Sequence, residues 1–145
     1  MLRARTAAII VFRLFILVAL VTSAGMRANA EEPSPYIVEV SDVAAKVGDP
    51  AVLRATLRVR DGYQILKGYN NRLIKLSSFD DGVIFERGMV PAALDEGALV
   101  FAVAIRVTKP GKHPINGVFR VGFIHGTDEI AMVSVRLISN VTGTE

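Results

Sequence analysis

Residues 51–60 (AVLRATLRVR) decide the fold class, because apolar and polar side chains alternate along them without a break. The apolar positions are Leu53, Ala55, Leu57 and Val59, and the polar positions are Arg54, Thr56, Arg58 and Arg60. Successive side chains of a β-strand point to opposite faces, so this pattern places one face on a core and the other in water. Half-buried strands of this kind are typical of antiparallel sheets.

Shorter segments with the same period of two lie on both sides of this strand, separated by Gly, Pro, Asn and Asp turns. We predict further strands at residues 36–40, 63–66, 72–76, 83–86, 99–107, 118–124 and 130–138, and a loop between Pro110-Gly111 and Asn116-Gly117. No window has a sustained helical period, and residues 91–96 are expected to form one helical turn at most. This pattern predicts an all-β, immunoglobulin-like two-sheet antiparallel sandwich, with a small barrel as the alternative.

The first 30 residues have a different character. Arg3, Arg5 and Arg13 precede or flank an apolar run at residues 14–21, and small residues follow at Ala28 and Ala30. A basic start, a short apolar core and an A-x-A site describe a secretory signal peptide, and the run is shorter than the ~20 residues of a membrane-spanning helix. We predict export to the periplasm with cleavage after Ala30; an uncleaved N-terminal anchor is the alternative.

The remaining chain is nearly neutral. Four of the 17 basic residues and none of the 14 acidic residues lie in the leader, which leaves 13 against 14 and a net charge of −1. A near-neutral domain has no general electrostatic reason to bind nucleic acid or an anionic membrane. We divide this part into a short mobile lead-in (31–35), the sandwich (36–140) and a tail (141–145).

Residues suited to catalysis are scarce. The chain has no cysteine, which excludes disulfides, thiolate metal sites and a cysteine nucleophile, and it has two histidines. None of the common nucleotide-binding, hydrolase or metalloprotease motifs occurs. His113 lies in the predicted loop and is expected to be solvated. We therefore predict no enzyme activity and no cofactor.

The predicted strand end at His125 brings an imidazole and two carboxylates together within a few residues of the sequence. His125 is followed within four residues by Asp128 and Glu129, so a metal site is one hypothesis. A polar hairpin tip is the simpler interpretation. Tyr63 and Tyr69 flank a loop that contains Gly68, and exposed aromatic side chains on loops are suited to recognition.

Three segments resemble the N-terminal periplasmic domain of the membrane thiol:disulfide interchange proteins (the DsbD family). They are residues 57–65 (LRVRDGYQI), 99–105 (LVFAVAI) and 118–132 (VFRVGFIHGTDEIAM). The resemblance implies an immunoglobulin-like sandwich, in agreement with the alternation. His125-Gly126 and Ala131-Met132 stand where that family has its cysteine pair. Because dithiol–disulfide exchange requires a thiolate, the family's activity does not carry over to this chain.

Together these features predict an exported, non-catalytic interaction domain, a redox-inactive version of that sandwich, which docks a periplasmic or envelope protein. The candidate partner-binding residues are Tyr63, Tyr69, His125 and Asp128. The alternative is a periplasmic metal carrier that uses His125 with Asp128 or Glu129.

Overall fold

The computed structural model describes residues 34–145, which form two packed β-sheets. The first sheet contains β1 (Tyr36–Val40), β3 (Pro50–Val59), β6 (Val83–Phe85), β8 (Ala93–Asp95) and β9 (Ala98–Val107). The second sheet contains β2 (Val43–Lys46), β4 (Tyr63–Ile65), β5 (Arg72–Ser78), β7 (Met89–Pro91), β10 (Gly111–His125) and β11 (Glu129–Thr144). All pairings are antiparallel except that of β2 with β11. The predicted all-β two-sheet sandwich is confirmed.

The core lies between the inner faces of the two sheets. Leu53, Ala55 and Leu57 of β3 are fully buried, as their alternation with arginine and threonine predicts. They pack in one cluster with apolar residues of β9, β10 and β11. Across the sandwich the rings of Phe101 and Phe119 lie 5.0 Å apart and are tilted by 59°. Burial of these side chains supplies the main driving force for folding, since the chain has no disulfide.

Several local predictions are wrong. Residues 91–96 form no helical turn: they belong to β7, β8 and a tight turn in which Glu96 and Gly97 have positive φ. The predicted loop that contains His113 is the first part of β10. The predicted tail is the end of β11, where Val141 pairs with His113 on one side and Val43 on the other. Paired neighbours on both sides, with buried Val141, keep this segment in the sheet.

The predicted signal peptide and nearly all of the lead-in lie outside the described residues. Within residues 34–145 the structure contains no helix that is long and apolar enough to cross a membrane.

A buried histidine joins the two connections that cross between the sheets at one end of the sandwich. His113 Nδ1 lies 2.8 Å from Asp80 Oδ2, in the β5–β6 connection, and its Nε2 lies 2.7 Å from the carbonyl oxygen of Lys109, in the β9–β10 connection. Both oxygens accept, so both ring nitrogens donate and the ring is an imidazolium. The bond to Asp80, supported by the Lys109 carbonyl, raises the pKa of His113 above its usual value.

The carboxylate partner is fixed by further donors. Asp80 Oδ1 accepts hydrogen bonds from the Gly82 backbone N–H and the Ser78 hydroxyl, both at 3.0 Å. The bond from His113, followed by that from Gly82, lowers the pKa of Asp80 to about 2. The interaction is therefore an ion pair between the lowered pKa of Asp80 and the raised pKa of His113.

Candidate functional site

A groove of about 610 Å³ lies on the outer face of the first sheet. Its floor consists of Val100, Ala102 and Ala104, the outward-facing residues of β9. Residues between β6 and β8 form one wall, and Arg54 of β3 stands on the other side, opposite Ala102 in the sheet. We call this cavity the first-sheet groove.

The groove exists because β9 is only partly paired along one edge. β8 pairs with Ala98–Val100 and β6 with residues 105–107, so no strand of the described chain lies beside residues 101–104 on that side. The Glu86 backbone N–H donates to the Ala104 carbonyl across this edge at 3.1 Å. Backbone groups of alternate residues point to the same side of a strand, so Ala102 directs its N–H and C=O into the gap.

Small and charged side chains give the first-sheet groove its chemistry. Arg54 and Arg87 supply positive charge, and Glu86 and Asp95 supply negative charge. Within residues 34–145 no ion pair within 4.0 Å joins any of these four side chains. The exposed side chain of Leu94 adds an apolar contact at the rim. The result is an apolar floor with charges of both signs around it.

A smaller cavity of about 220 Å³ adjoins the groove, and the two share Pro91 and Leu94. Tyr69, Lys67 and Asn70 line it, so the loop that the sequence singled out for its tyrosines borders this region. The loop is held by buried Asn71, whose side chain donates to the carbonyl of Leu66 and accepts from the backbone N–H of Gly122.

Two of the sequence-predicted site residues meet at the end of the β10–β11 hairpin, which we call the tip (His125 to Glu129, with Tyr63). Tyr63 pairs with His125 in the sheet, and their rings stack with centroids 4.5 Å apart. His125 Nδ1 lies 3.2 Å from Glu129 Oε2, and both side chains are exposed. Both residues belong to the metal hypothesis, which named His125 with Asp128 or Glu129.

The other two candidates lie apart from that pair. Tyr69 packs against Gly122, where an added Cβ would lie 3.1 Å from the tyrosine Cβ and Cγ. The guanidinium of Arg72 lies 5.9 Å from the Tyr69 ring centroid. Asp128 accepts a hydrogen bond from the Thr127 hydroxyl in the hairpin turn. In the described residues no hydrogen bond or ion pair joins Tyr69 or Asp128 to the stacked pair, so the four candidates are not assembled into a single site.

The residues of the metal hypothesis are only partly assembled. His125 and Glu129 are adjacent, whereas Asp128 is bonded to Thr127. In the described part of the chain no group of three or more His, Cys, Asp or Glu side chains is placed to hold a metal ion. Metal sites in proteins generally use at least three protein ligands, so no observation favours this alternative.

Sequence reasoning missed the first-sheet groove and the role of His113. The signal for the groove was the small size of Ala102 and Ala104 on the outer face of β9, combined with Arg54 on the neighbouring strand. His113 was expected to be solvated because Pro110, Gly111 and Pro114 surround it. The structure instead buries its ring to 4% exposure.

No family model matches this chain. No curated protein matches it either. Its structure is similar to the seventh ScaB type I cohesin from Pseudobacteroides cellulosolvens, with 15% identity, a TM-score of 0.45, and coverage of 75% of this chain and 92% of that chain. It is also similar to a conjugative transposon lipoprotein from Bacteroides eggerthii, with 14% identity, a TM-score of 0.38, and coverage of 72% and 98%. A cohesin–dockerin complex from Clostridium thermocellum gives 13% identity, a TM-score of 0.39, and coverage of 75% and 99%.

The expected resemblance to the DsbD family is wrong. The similar solved structures are cohesin domains and a lipoprotein, and no family model supports the DsbD assignment. The physical reason is that the three quoted segments share with that family only alternating apolar and polar residues and turn residues. These features follow from packing one face of a sheet and recur in unrelated sandwiches.

Proposed function

We propose that this chain is an exported, non-catalytic protein-binding domain, and that the first-sheet groove takes up an extended segment of a protein partner. The observation that carries the proposal is the unpaired edge of β9 at Ala102, which opens onto an apolar floor. An extended segment would hydrogen-bond to this edge and place apolar side chains over Val100, Ala102 and Ala104. Addition of a strand to an exposed edge is a common mode of peptide recognition.

The polar groups of the groove favour a polypeptide over a small molecule. Small-molecule sites fix their ligands with a few convergent polar groups in an enclosed pocket. In the described residues the buried polar side chains are Asn71 and His113, and neither lines this groove. Arg54 and Arg87 together with Glu86 and Asp95 would pair with a segment that carries both an acidic and a basic residue beside its apolar positions.

The proposal predicts a specific photo-crosslink from the groove. With a photoreactive amino acid in place of Leu94, which is 47% exposed, we expect a covalent adduct with one envelope protein in cells that produce the full chain. The same group in place of Phe79, which is 68% exposed in the connection between β5 and β6, is the control, because this position lies outside the groove and outside the β11 edge. An adduct that is equally abundant at both positions, or absent at Leu94, contradicts the proposed site.

Filling the groove provides the second arm of this experiment. Ala102→Phe would place a ring over the floor, and we expect it to weaken binding of the identified partner at least tenfold in a titration with purified proteins. Ala44→Phe, at an exposed position of β2, is the matched control. His125→Ala with Asp128→Ala tests the tip residues separately. If this double variant weakens binding and Ala102→Phe does not, the partner docks at the tip and the groove proposal fails.

Export is proposed from the leader pattern, and it predicts a defined mature end. We expect the protein recovered from the periplasmic fraction to begin at Glu31, as measured by intact mass. Ala30→Tyr should retain the leader, because signal peptidase requires a small residue at this position. Recovery of the full-length protein in the membrane fraction from the unaltered chain would favour the anchor instead.

A further inference from the structure

Most of β11, in the second sheet, is paired on one side only. β11 pairs with β10 at residues 129–143, whereas β2 covers its other side only at residues 141–144. In the described part of the chain, residues 129–140 therefore have an open edge. Their register with β10 is continuous and contains no bulge, so the edge is regular over twelve residues.

Hydrogen bonds on the neighbouring strand show which backbone groups this edge presents. The Gly122 N–H donates to Asn71 Oδ1, and the Gly122 carbonyl accepts from Leu66 N–H, so both groups point away from β11. Met132 lies opposite Gly122, and in such a pair both residues direct their backbone groups outward. Alternation extends this to all even-numbered positions, so the open edge offers the N–H and C=O of Ile130, Met132, Ser134, Arg136 and Ile138.

We propose that a second copy of this chain pairs antiparallel with this edge, about a two-fold axis at Ser134, to form a continuous sheet across a dimer. The proposal is independent of the first-sheet groove, which lies on the other sheet. In this register residue 134 faces itself, and any two paired residues have numbers that add up to 268. All outward-directed backbone groups then meet partners of the second copy.

The side chains of β11 are self-complementary in this register. On the outer face Ile130 lies opposite Ile138, and these side chains are 59% and 65% exposed in the single chain. Met132, which is 66% exposed, lies opposite the aliphatic stem of Arg136. On the inner face Val133 lies opposite Val135. Cross-strand apolar pairs of this kind stabilise sheets, and no like charges face each other.

The ends of the open edge fit the same register. Glu129, the first residue of β11, would lie opposite Ser139, just before the point where β2 begins to cover the strand at Val141. The last turn residue of the second copy, Asp128, would lie opposite Asn140, one residue before β2 begins to cover β11. The edge also lacks most of the usual protection, because residues 129–140 contain no proline and no lysine, and the charge on the inner-face side, Glu129, lies exposed at the end of the strand.

Cysteine crosslinking tests the register directly, since the chain has no native cysteine. Directly paired strand residues are close enough for a disulfide, so Ser134→Cys should form a covalent dimer under mild oxidation. Met132→Cys is the control, because residue 132 would face residue 136 of the second copy and lie about 13 Å from its own counterpart. Equal crosslinking of the two variants, or none with Ser134→Cys, overturns the proposal.

The oligomeric state gives an independent measurement. We expect light scattering on the exported protein at about 100 µM to give twice the chain mass, and Ser134→Pro to give the single mass. The Ser134 N–H points to the open edge, so proline there removes no backbone bond to β10 and loses only the exposed side-chain bond from Arg120 to the Ser134 hydroxyl. A monomer in the unaltered protein overturns the proposal. Ala102→Phe should leave the dimer intact, so failure of the groove and failure of the dimer are distinguishable.

Discussion

Replacing Gly82 with alanine is expected to lower the free energy of unfolding by about 3 kcal/mol, at the upper end of what overpacking usually costs. A Cβ at this position would overlap the ring atoms Nδ1, Cγ and Cε1 of His113. The ring has no freedom to move aside, because Asp80 and the Lys109 carbonyl hold it from two directions. Urea unfolding followed by circular dichroism measures the change.

Two further variants separate this clash from a general effect of alanine. Gly88 has no atom within 4 Å of an added Cβ, so Gly88→Ala should change stability by less than about 0.5 kcal/mol. In the double variant Gly82→Ala with His113→Ala, the methyl group can occupy the space of the missing ring. We therefore expect it to cost clearly less than the sum of the two single changes. Strict additivity would show that the clash is not the cause.

Replacing His113 with glutamine is expected to cost about 2 kcal/mol near pH 6 and much less above the raised pKa of His113, because glutamine loses the charged bond to Asp80. The folded state binds the histidine proton more tightly than the unfolded chain does. The stabilisation is therefore complete below about pH 6.5, the usual pKa of histidine, and disappears as the pH rises through the pKa of the folded state. Urea midpoints between pH 5.5 and 9 provide the measurement.

At low pH the contribution of the same pair to stability changes with pH in the opposite direction. The pKa of Asp80 is lowered from 3.8 to about 2, so its contribution is present above pH 3.8 and is lost as the pH falls towards 2. The pair stabilises the fold most between about pH 4 and 6.5. His125→Gln is the matched control, since His125 is half exposed and the carboxylate that it contacts, Glu129, is exposed as well. A slope above pH 6.5 that persists in His113→Gln, or is lost in His125→Gln, would assign the titration to another group.

The long strands could be predicted from the sequence because apolar residues that face the core alternate with polar residues that face water. The alternation at residues 51–60 reappears as buried Leu53 and Leu57 beside exposed Arg54 and Arg58. The short strands β2, β7 and β8 could not be predicted this way, because three or four residues are too few to show a period. They form because a neighbouring strand offers open backbone groups.

The first part of β10 was missed because proline and glycine suggested a loop. Pro114 faces outward and is tolerated there. Gly117 is required on the inner face, where Leu73, Leu76 and Leu137 lie within 3.3 Å of the position of a Cβ. A register shift in β5, with Lys75 at a φ of 54°, allows the two leucines of that strand to flank this glycine. Only the packing of three strands shows that this glycine is a strand residue.

The candidate sites also differ in how far apart their residues lie in the sequence. His125 and Glu129 are four residues apart in a hairpin, so their contact at 3.2 Å is local in the sequence. The first-sheet groove joins Arg54 to Ala102 and Leu94, which are brought together only by the pairing of β3, β8 and β9. The small size of Ala102 and Ala104 is the local signal, and it indicates a floor only once the neighbouring strands are in place.

The parallel pairing of β2 with β11 sets the order in which the sandwich can be completed. Val43 bonds alongside Val141, and the two lie about a hundred residues apart, so closing this pair carries a large loop-closure entropy cost. A chain threaded through a membrane from its N-terminal side would deliver β2 long before its partner. Until residues 141–144 arrive, β2 has no neighbour in the second sheet, so this pair forms only after the last strand is available. If the chain is exported as proposed, its second sheet is completed only after the last strand has crossed the membrane.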